Sequence, residues 1–202
     1  MTKIKLCGLS RPDDILAANE LAPDYIGFVF WRKSRRFVDY DTAIELKKLL
    51  DPKIQAVGVF VDEEPDTVNR LLNRNIIDLA QLHGGEDESY INRLRRLTDK
   101  PIIKAFRIKT ESDIQSAMNS TADYILLDSG AGTGSMFDWE LLRGVNRPYF
   151  LAGGLSPDSA ALAVRSLHPY GVDVSSGIET DGLKDKIKMT AFVNAVRMED
   201  TL

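Results

Sequence analysis

Short apolar runs rich in β-branched residues recur along the chain at residues 4–8, 25–30, 55–61, 79–84, 101–108, 124–128, 148–154 and 171–177. None alternates cleanly with polar residues, which is the pattern of parallel strands buried on both faces. The runs are spaced by roughly 20 to 30 residues, the length of one strand plus a covering helix. Apolar residues at helical spacing lie between them. Ala43, Ile44, Leu46 and Leu50 form one stripe, Val68, Leu71 and Leu72 a second, and Tyr90, Ile91, Leu94 and Leu97 a third. Ile187, Ala191, Phe192 and Ala195 form a fourth, each stripe reading as the buried face of a helix. Ser10-Arg11-Pro12-Asp13, Thr110-Glu111-Ser112-Asp113 and Ser156-Pro157-Asp158 put a capping residue ahead of acidic or proline first-turn residues. The segment after Trp139 is short and carries the least helical signal.

Eight strand–helix units can form an open doubly wound sheet or a closed barrel. The even count, the uniform spacing and the lack of a first-turn G-x-G-x-x-G favour a (β/α)8 TIM barrel of eight parallel strands. With no linker or low-complexity tract between Met1 and Leu202, the reading is one domain over residues 1–202.

Composition narrows the function. Hydrophobic residues make up 44% and charged ones 28%, which suits a folded globular chain and argues against disorder. The formal net charge of −4 offers no basic footprint for nucleic acid. One cysteine, Cys7, rules out an internal disulfide, and His83 and His168 lack metal-ligand spacing, so no metal is expected. No run approaches signal-peptide or membrane-span length. The expectation is a cytoplasmic protein that engages neither membrane nor nucleic acid.

Because a parallel barrel places its active site at the C-terminal strand ends, the strand-end residues are the chemical candidates. Cys7 reads either as a small buried hydrophobe or, near positive charge, as a thiolate base or nucleophile. Asp128 ends an apolar run, Ile125-Leu126-Leu127. It reads either as a turn cap or as a carboxyl whose apolar wall raises its pKa, as a general acid requires. Gly153 and Gly154 after the seventh strand, and Ser175, Ser176 and Gly177 after the eighth, are tight turns or a phosphate cradle. The turn Gly132-Thr133-Gly134 after the sixth strand shifts the balance towards phosphate. In the basic segment from Trp31 to Arg36, one arginine can clamp a carboxylate bidentately; the alternative is a solvated charge cluster. Lys104 is either a Schiff-base lysine or a charge-paired barrel lysine.

Taken together, several segments resemble the phosphoribosylanthranilate isomerases, the aldose–ketose isomerases of tryptophan biosynthesis. They are Lys3-Ile4-Lys5-Leu6-Cys7-Gly8-Leu9, Gly27-Phe28-Val29-Phe30, Lys33-Ser34-Arg35-Arg36-Phe37-Val38 and Gln81-Leu82-His83-Gly84, then Leu126-Leu127-Asp128, Gly132-Thr133-Gly134 with Phe137-Asp138-Trp139, Leu151-Ala152-Gly153-Gly154-Leu155 and Gly171-Val172-Asp173-Val174-Ser175-Ser176-Gly177-Ile178-Glu179. They span nearly the whole chain in the family's order. Arg32 stands where the family usually has proline, and Ala131 departs from its usual loop. The resemblance implies a cofactor-free Amadori rearrangement of a phosphorylated small molecule, with Asp128 as acid and Cys7 as base. It also implies Arg36 on the anthranilate carboxylate, phosphate on the turns at Gly154, Ser176 and Gly177, and a monomer or homodimer, with the monomer slightly favoured. Indole-glycerol-phosphate synthase, or a phosphate-binding barrel without catalysis, are the competing readings. A strand one that begins almost at Met1 and ends in cysteine counts against the first. The presence of both Cys7 and Asp128 counts against the second.

Overall fold

Each apolar run pairs with the next in parallel, and the last returns to the first. The computed structural model describes residues 1–128 and 139–201. Strands β1 (Lys3–Cys7), β2 (Tyr25–Val29), β3 (Gln55–Phe60), β4 (Leu79–Leu82), β5 (Ile102–Arg107), β6 (Tyr124–Asp128), β7 (Tyr149–Ala152) and β8 (Gly171–Val174) close in sequence order into a barrel. The seam is formed by β1 and β8, with Lys5 opposite Asp173.

Helices α1 (Pro12–Leu21), α2 (Tyr40–Leu49), α3 (Pro65–Asn73), α4 (Glu88–Arg95) and α5 (Glu111–Met118) fill the first five connections, and α6 (Pro157–Leu167) the seventh. Between β6 and β7 the described residues form a 3-10 turn, Trp139–Gly144, in keeping with the weak helical pattern there. A short hairpin, β9 (Glu179–Thr180) with β10 (Leu183–Lys184), precedes α7 (Lys186–Glu199). No helix among the described residues is long and apolar enough to cross a membrane.

Two of the expected caps hold. Thr110 accepts from the Asp113 N–H, and Ser156 from that of Ser159. At α1 the cap position is Arg11 rather than Ser10, and Asp14 from within the first turn accepts from the Ser10 and Arg11 N–H groups instead. The α7 stripe is also shifted from expectation. Met189, Phe192, Val193 and Val196 are buried, whereas Ile187 and Ala191 face solvent. The helix is started by Asp185, which accepts from the Ile187 and Lys188 N–H groups, so Ile187 belongs to a free first turn. Leu97 lies beyond α4 and is exposed.

Strand side chains divide by parity into two cores. Ile4, Leu6, Ile26, Phe28, Leu82, Ile125 and Leu127 point outwards and pack under the helices. Tyr25, Val57, Leu79, Ile103, Leu126 and Phe150 fill the lower interior of the barrel. Above them sit Cys7, Val29 and Val59. Phe150 makes edge contacts with Tyr25, Tyr124 and Tyr170, and its ring occupies the space beside Gly171 where a side chain would stand. Phe150 is fully buried. Phe150→Ala is therefore expected to cost about 3–5 kcal/mol of stability, read from the urea midpoint at unchanged m-value.

Candidate active site

A cleft of about 520 Å³ opens at the C-terminal ends of the strands. Its wall brings together Cys7 from β1, Arg36 after β2, Asp128 from β6, Gly153 and Gly154 after β7, and Ser175 and Ser176 after β8. These seven positions are spread over most of the sequence and meet because each follows its strand to the same rim. Gly132 and Gly134 lie outside the described residues.

Cys7 is buried, and its sulfur has room because the opposing β2 residue is Gly27. A methyl group at Gly27 would come within 2.7 Å of that sulfur. Burial pushes the thiol pKa up; the Lys5 ammonium opposes this by charge and hydrogen bonding, while Asp173 adds to it. Lys5 is fully buried and donates to Asp173 Oδ1 at 2.9 Å across the barrel seam. Burial acts to lower the Lys5 pKa, but Asp173 and Cys7 outweigh it and hold the amine above its ordinary range. The base candidate therefore stands over a buried cation. Sequence reasoning passed over both Lys5 and Asp173. Strand parity was the available signal, since each lies two residues before a rim residue and so shares its inward face.

Arg36 lines the cleft, but its guanidinium is already held. Its Nε donates to Glu179 Oε1 at 2.5 Å and its Nη2 to Oε2 at 2.9 Å. Arg35 donates to the same carboxylate at 2.6 Å and Lys184 at 2.7 Å. Burial would raise the Glu179 pKa, but Arg36 and Lys184 hold it at about 2. The carboxylate thus occupies one edge of the Arg36 fork, and the Nη1–Nη2 edge is geometrically suited to a second carboxylate.

The β7 and β8 ends have the shape that anions favour. Gly153 and Gly154 both have positive φ, 99° and 62°, and successive turns of this kind form backbone concavities that bind phosphate. Ser176 opens a 3-10 turn, Ser176–Ile178. Gly177 does not line the cleft; a side chain there would run into the Leu155 carbonyl, so it keeps the β7 and β8 loops in contact. The Ser175 hydroxyl is also committed, donating to the Cys7 carbonyl at 3.0 Å. Ser175 thereby ties the end of β8 to the end of β1.

Lys104 has the opposite parity from Ile103 and Ala105 and points away from the barrel interior. It forms a buried ion pair with Glu86 at 3.0 Å and donates to the Gly84 carbonyl at 2.8 Å, so it is the charge-paired lysine of the two alternatives. Two cleft residues not singled out from sequence are Gln81 and Trp31. His83, which follows β4, approaches Asp128 Oδ2 through Nε2 at 3.4 Å. Among the described residues no cluster of His, Cys, Asp and Glu is arranged to hold a metal.

The balance of charge around Cys7 makes a signed prediction. With one cysteine in the chain, iodoacetamide alkylation against pH reports the thiolate directly. Lys5→Met should move the midpoint up and Asp173→Asn should move it down. Coincident midpoints in the three proteins would show that the buried pair does not control the thiol.

Comparison with known proteins matches residues 4–195 to the family described as N-(5′phosphoribosyl)anthranilate (PRA) isomerase. The chain is 48% identical to the N-(5′-phosphoribosyl)anthranilate isomerase of Endomicrobium trichonymphae over 98% of its own length and 99% of that protein's. Its fold superposes on phosphoribosyl anthranilate isomerase from Thermotoga maritima with a TM-score of 0.90 at 33% identity, covering 98% and 100% of the two chains. A phosphoribosyl anthranilate isomerase in complex with reduced 1-(o-carboxyphenylamino)-1-deoxyribulose 5-phosphate matches with a TM-score of 0.88 at 33% identity and the same coverage.

Proposed function

The chain belongs to the N-(5′-phosphoribosyl)anthranilate isomerase family, and on that premise we propose that Asp128 and Cys7 are the acid and base of an Amadori rearrangement at the barrel rim. The substrate is N-(5′-phosphoribosyl)anthranilate and the product 1-(2-carboxyphenylamino)-1-deoxyribulose 5-phosphate, an isomerisation in tryptophan biosynthesis. The observation that carries the assignment is the single cleft shared by Cys7, Asp128, Arg36 and the glycine turn after β7.

Asp128 gives a proton to the furanose ring oxygen as the bond between C1′ and that oxygen breaks. The anilino nitrogen supplies the electron pair and becomes an iminium, which acidifies the hydrogen on C2′. The Cys7 thiolate removes that hydrogen, and the electrons move back to nitrogen to form an enol. Protonation at C1′ and loss of the O2′ proton then give the ketone. Every proton added is matched by one lost, and no oxidant is consumed. Acid and base must stand on different sides of one sugar, which β6 and β1, three strands apart around the barrel, accommodate.

The remaining groups bind. Arg36, oriented by Glu179, offers its second edge to the anthranilate carboxylate. The turn at Gly153 and Gly154 and the backbone at Ser175 and Ser176 take the phosphate, with Gly177 acting as a spacer. All these groups lie on one chain, so a monomer suffices for the reaction.

The reaction is followed by generating phosphoribosylanthranilate in situ and recording the loss of its fluorescence. Cys7→Ala and Asp128→Asn should each lower kcat by about 10²–10⁴-fold with folding intact. Turnover within a few-fold of the unaltered protein would remove that residue from the role. Arg36→Met should raise KM by roughly 10- to 100-fold, the worth of a charged hydrogen bond, and an unchanged KM would reject the carboxylate clamp.

A further inference from the structure

Gln81 points inwards from β4, in the parity of Leu79 beneath it, and lines the cleft with Cys7 and Asp128. It is 1% exposed. Its Nε2 lies 2.9 Å from His83 Nδ1, and its Oε1 is buried without a hydrogen-bond partner among the described residues. Beyond His83 stands Asp128 Oδ2, 3.4 Å from Nε2. The three side chains therefore form a row, amide to imidazole to carboxyl, with an unmet acceptor at its near end.

Hydrogen-bond chemistry orders this row. An amide N–H can only donate, so Nδ1 must be the accepting nitrogen and the imidazole proton must lie on Nε2. That N–H then points at Asp128 Oδ2. Occupying Oδ2 in this way leaves the acid proton to the other carboxyl oxygen and stabilises the carboxylate once that proton has gone to the sugar. In the other tautomer the bare Nε2 would accept the carboxyl proton itself and divert it from the ring oxygen. The surroundings hold His83 in place. Lys104 donates to the carbonyl of the next residue, Gly84, and Glu86 accepts from the Gly84 N–H at 2.8 Å.

We propose that Gln81 is a positioning residue for the acid, locking His83 in the tautomer that donates to Asp128, and that its Oε1 accepts a hydroxyl proton of the sugar. The inference rests on Asp128 being the acid. A buried acceptor left unpaired is unfavourable, and a hydroxyl on the substrate is the donor chemistry that relieves it.

The test reads the tautomer without reference to activity. With only His83 and His168 in the chain, the imidazole ¹⁵N spectrum of His168→Asn contains His83 alone. It should show a protonated Nε2 and a bare Nδ1. Gln81→Glu, which can only accept from His83, should place a proton on Nδ1 and remove the bare-nitrogen signal. Gln81→Met, similar in size and without hydrogen-bonding atoms, should give a mixture of tautomers. In the fluorescence assay both variants should lose about tenfold or more in kcat, and Gln81→Met should also raise KM. A bare Nε2 in the otherwise unaltered protein, or the same signals in all three, overturns the tautomer lock whether or not the variants are fully stable. A protonated Nδ1 in Gln81→Glu with unchanged kcat overturns its role in catalysis. If the unaltered chain proves inactive while the signals change as expected, the isomerase reading fails and the lock stands.

Discussion

A closed barrel of eight strands has a lower interior that water does not reach, so a charged side chain buried there must find its partner within the strand ring. Lys5 and Asp173 face each other across β1 and β8, the pair that closes the sheet. Breaking one member of a buried pair leaves an uncompensated charge, so the two are tied to one another. The site is built on that constraint. Cys7 lies one inward position above Lys5 on the same strand, and the cation that helps to balance the seam also favours thiolate in a place where burial disfavours it.

The rim follows the same logic at larger scale. Glu179 gathers Arg35, Arg36 and Lys184, joining the loop after β2 to the hairpin after β8. Lys184 also donates to the Ser175 carbonyl at 2.9 Å, and Ser175 to the carbonyl of Cys7. A continuous chain of polar contacts thus runs from Arg36 to the backbone of Cys7. Opposite it, Lys104 and Glu86 hold the loop after β4, and with it His83, from outside the barrel. Two separate networks, one centred on Glu179 and one on Glu86, thus support the walls of the cleft.

Much of this was visible before any coordinates. Parallel strands buried on both faces read as plain apolar runs, and their spacing and number indicated a barrel. Cys7, Asp128 and Arg36 stood out because strand-end chemistry in such a fold is exposed by position. Lys5, Asp173 and Gln81 did not, because each sits inside an apolar run and only its parity with the rim residue two places further on marks it as inward-facing. Lys104 illustrates the converse. It attracted attention as a buried lysine, yet it faces the helices, where Glu86 neutralises it. The α7 stripe slipped because its first turn is set by the Asp185 cap and not by the run of apolar residues.

The order of strands and helices and the strand-end positions of the candidate residues were legible in sequence alone, because these depend on local periodicity and on the chain direction of each strand, whereas the roles of Cys7 and Asp128 rested on the resemblance. The register at the β1–β8 seam was decided only by tertiary structure, since it depends on closing the ring. That register sets Lys5 against Asp173 beneath Cys7. Closure likewise brings His83 from β4 to Asp128 on β6 and brings Glu179 to an arginine more than a hundred residues away. Such pairings are made by distance in space, which periodicity along a chain does not record.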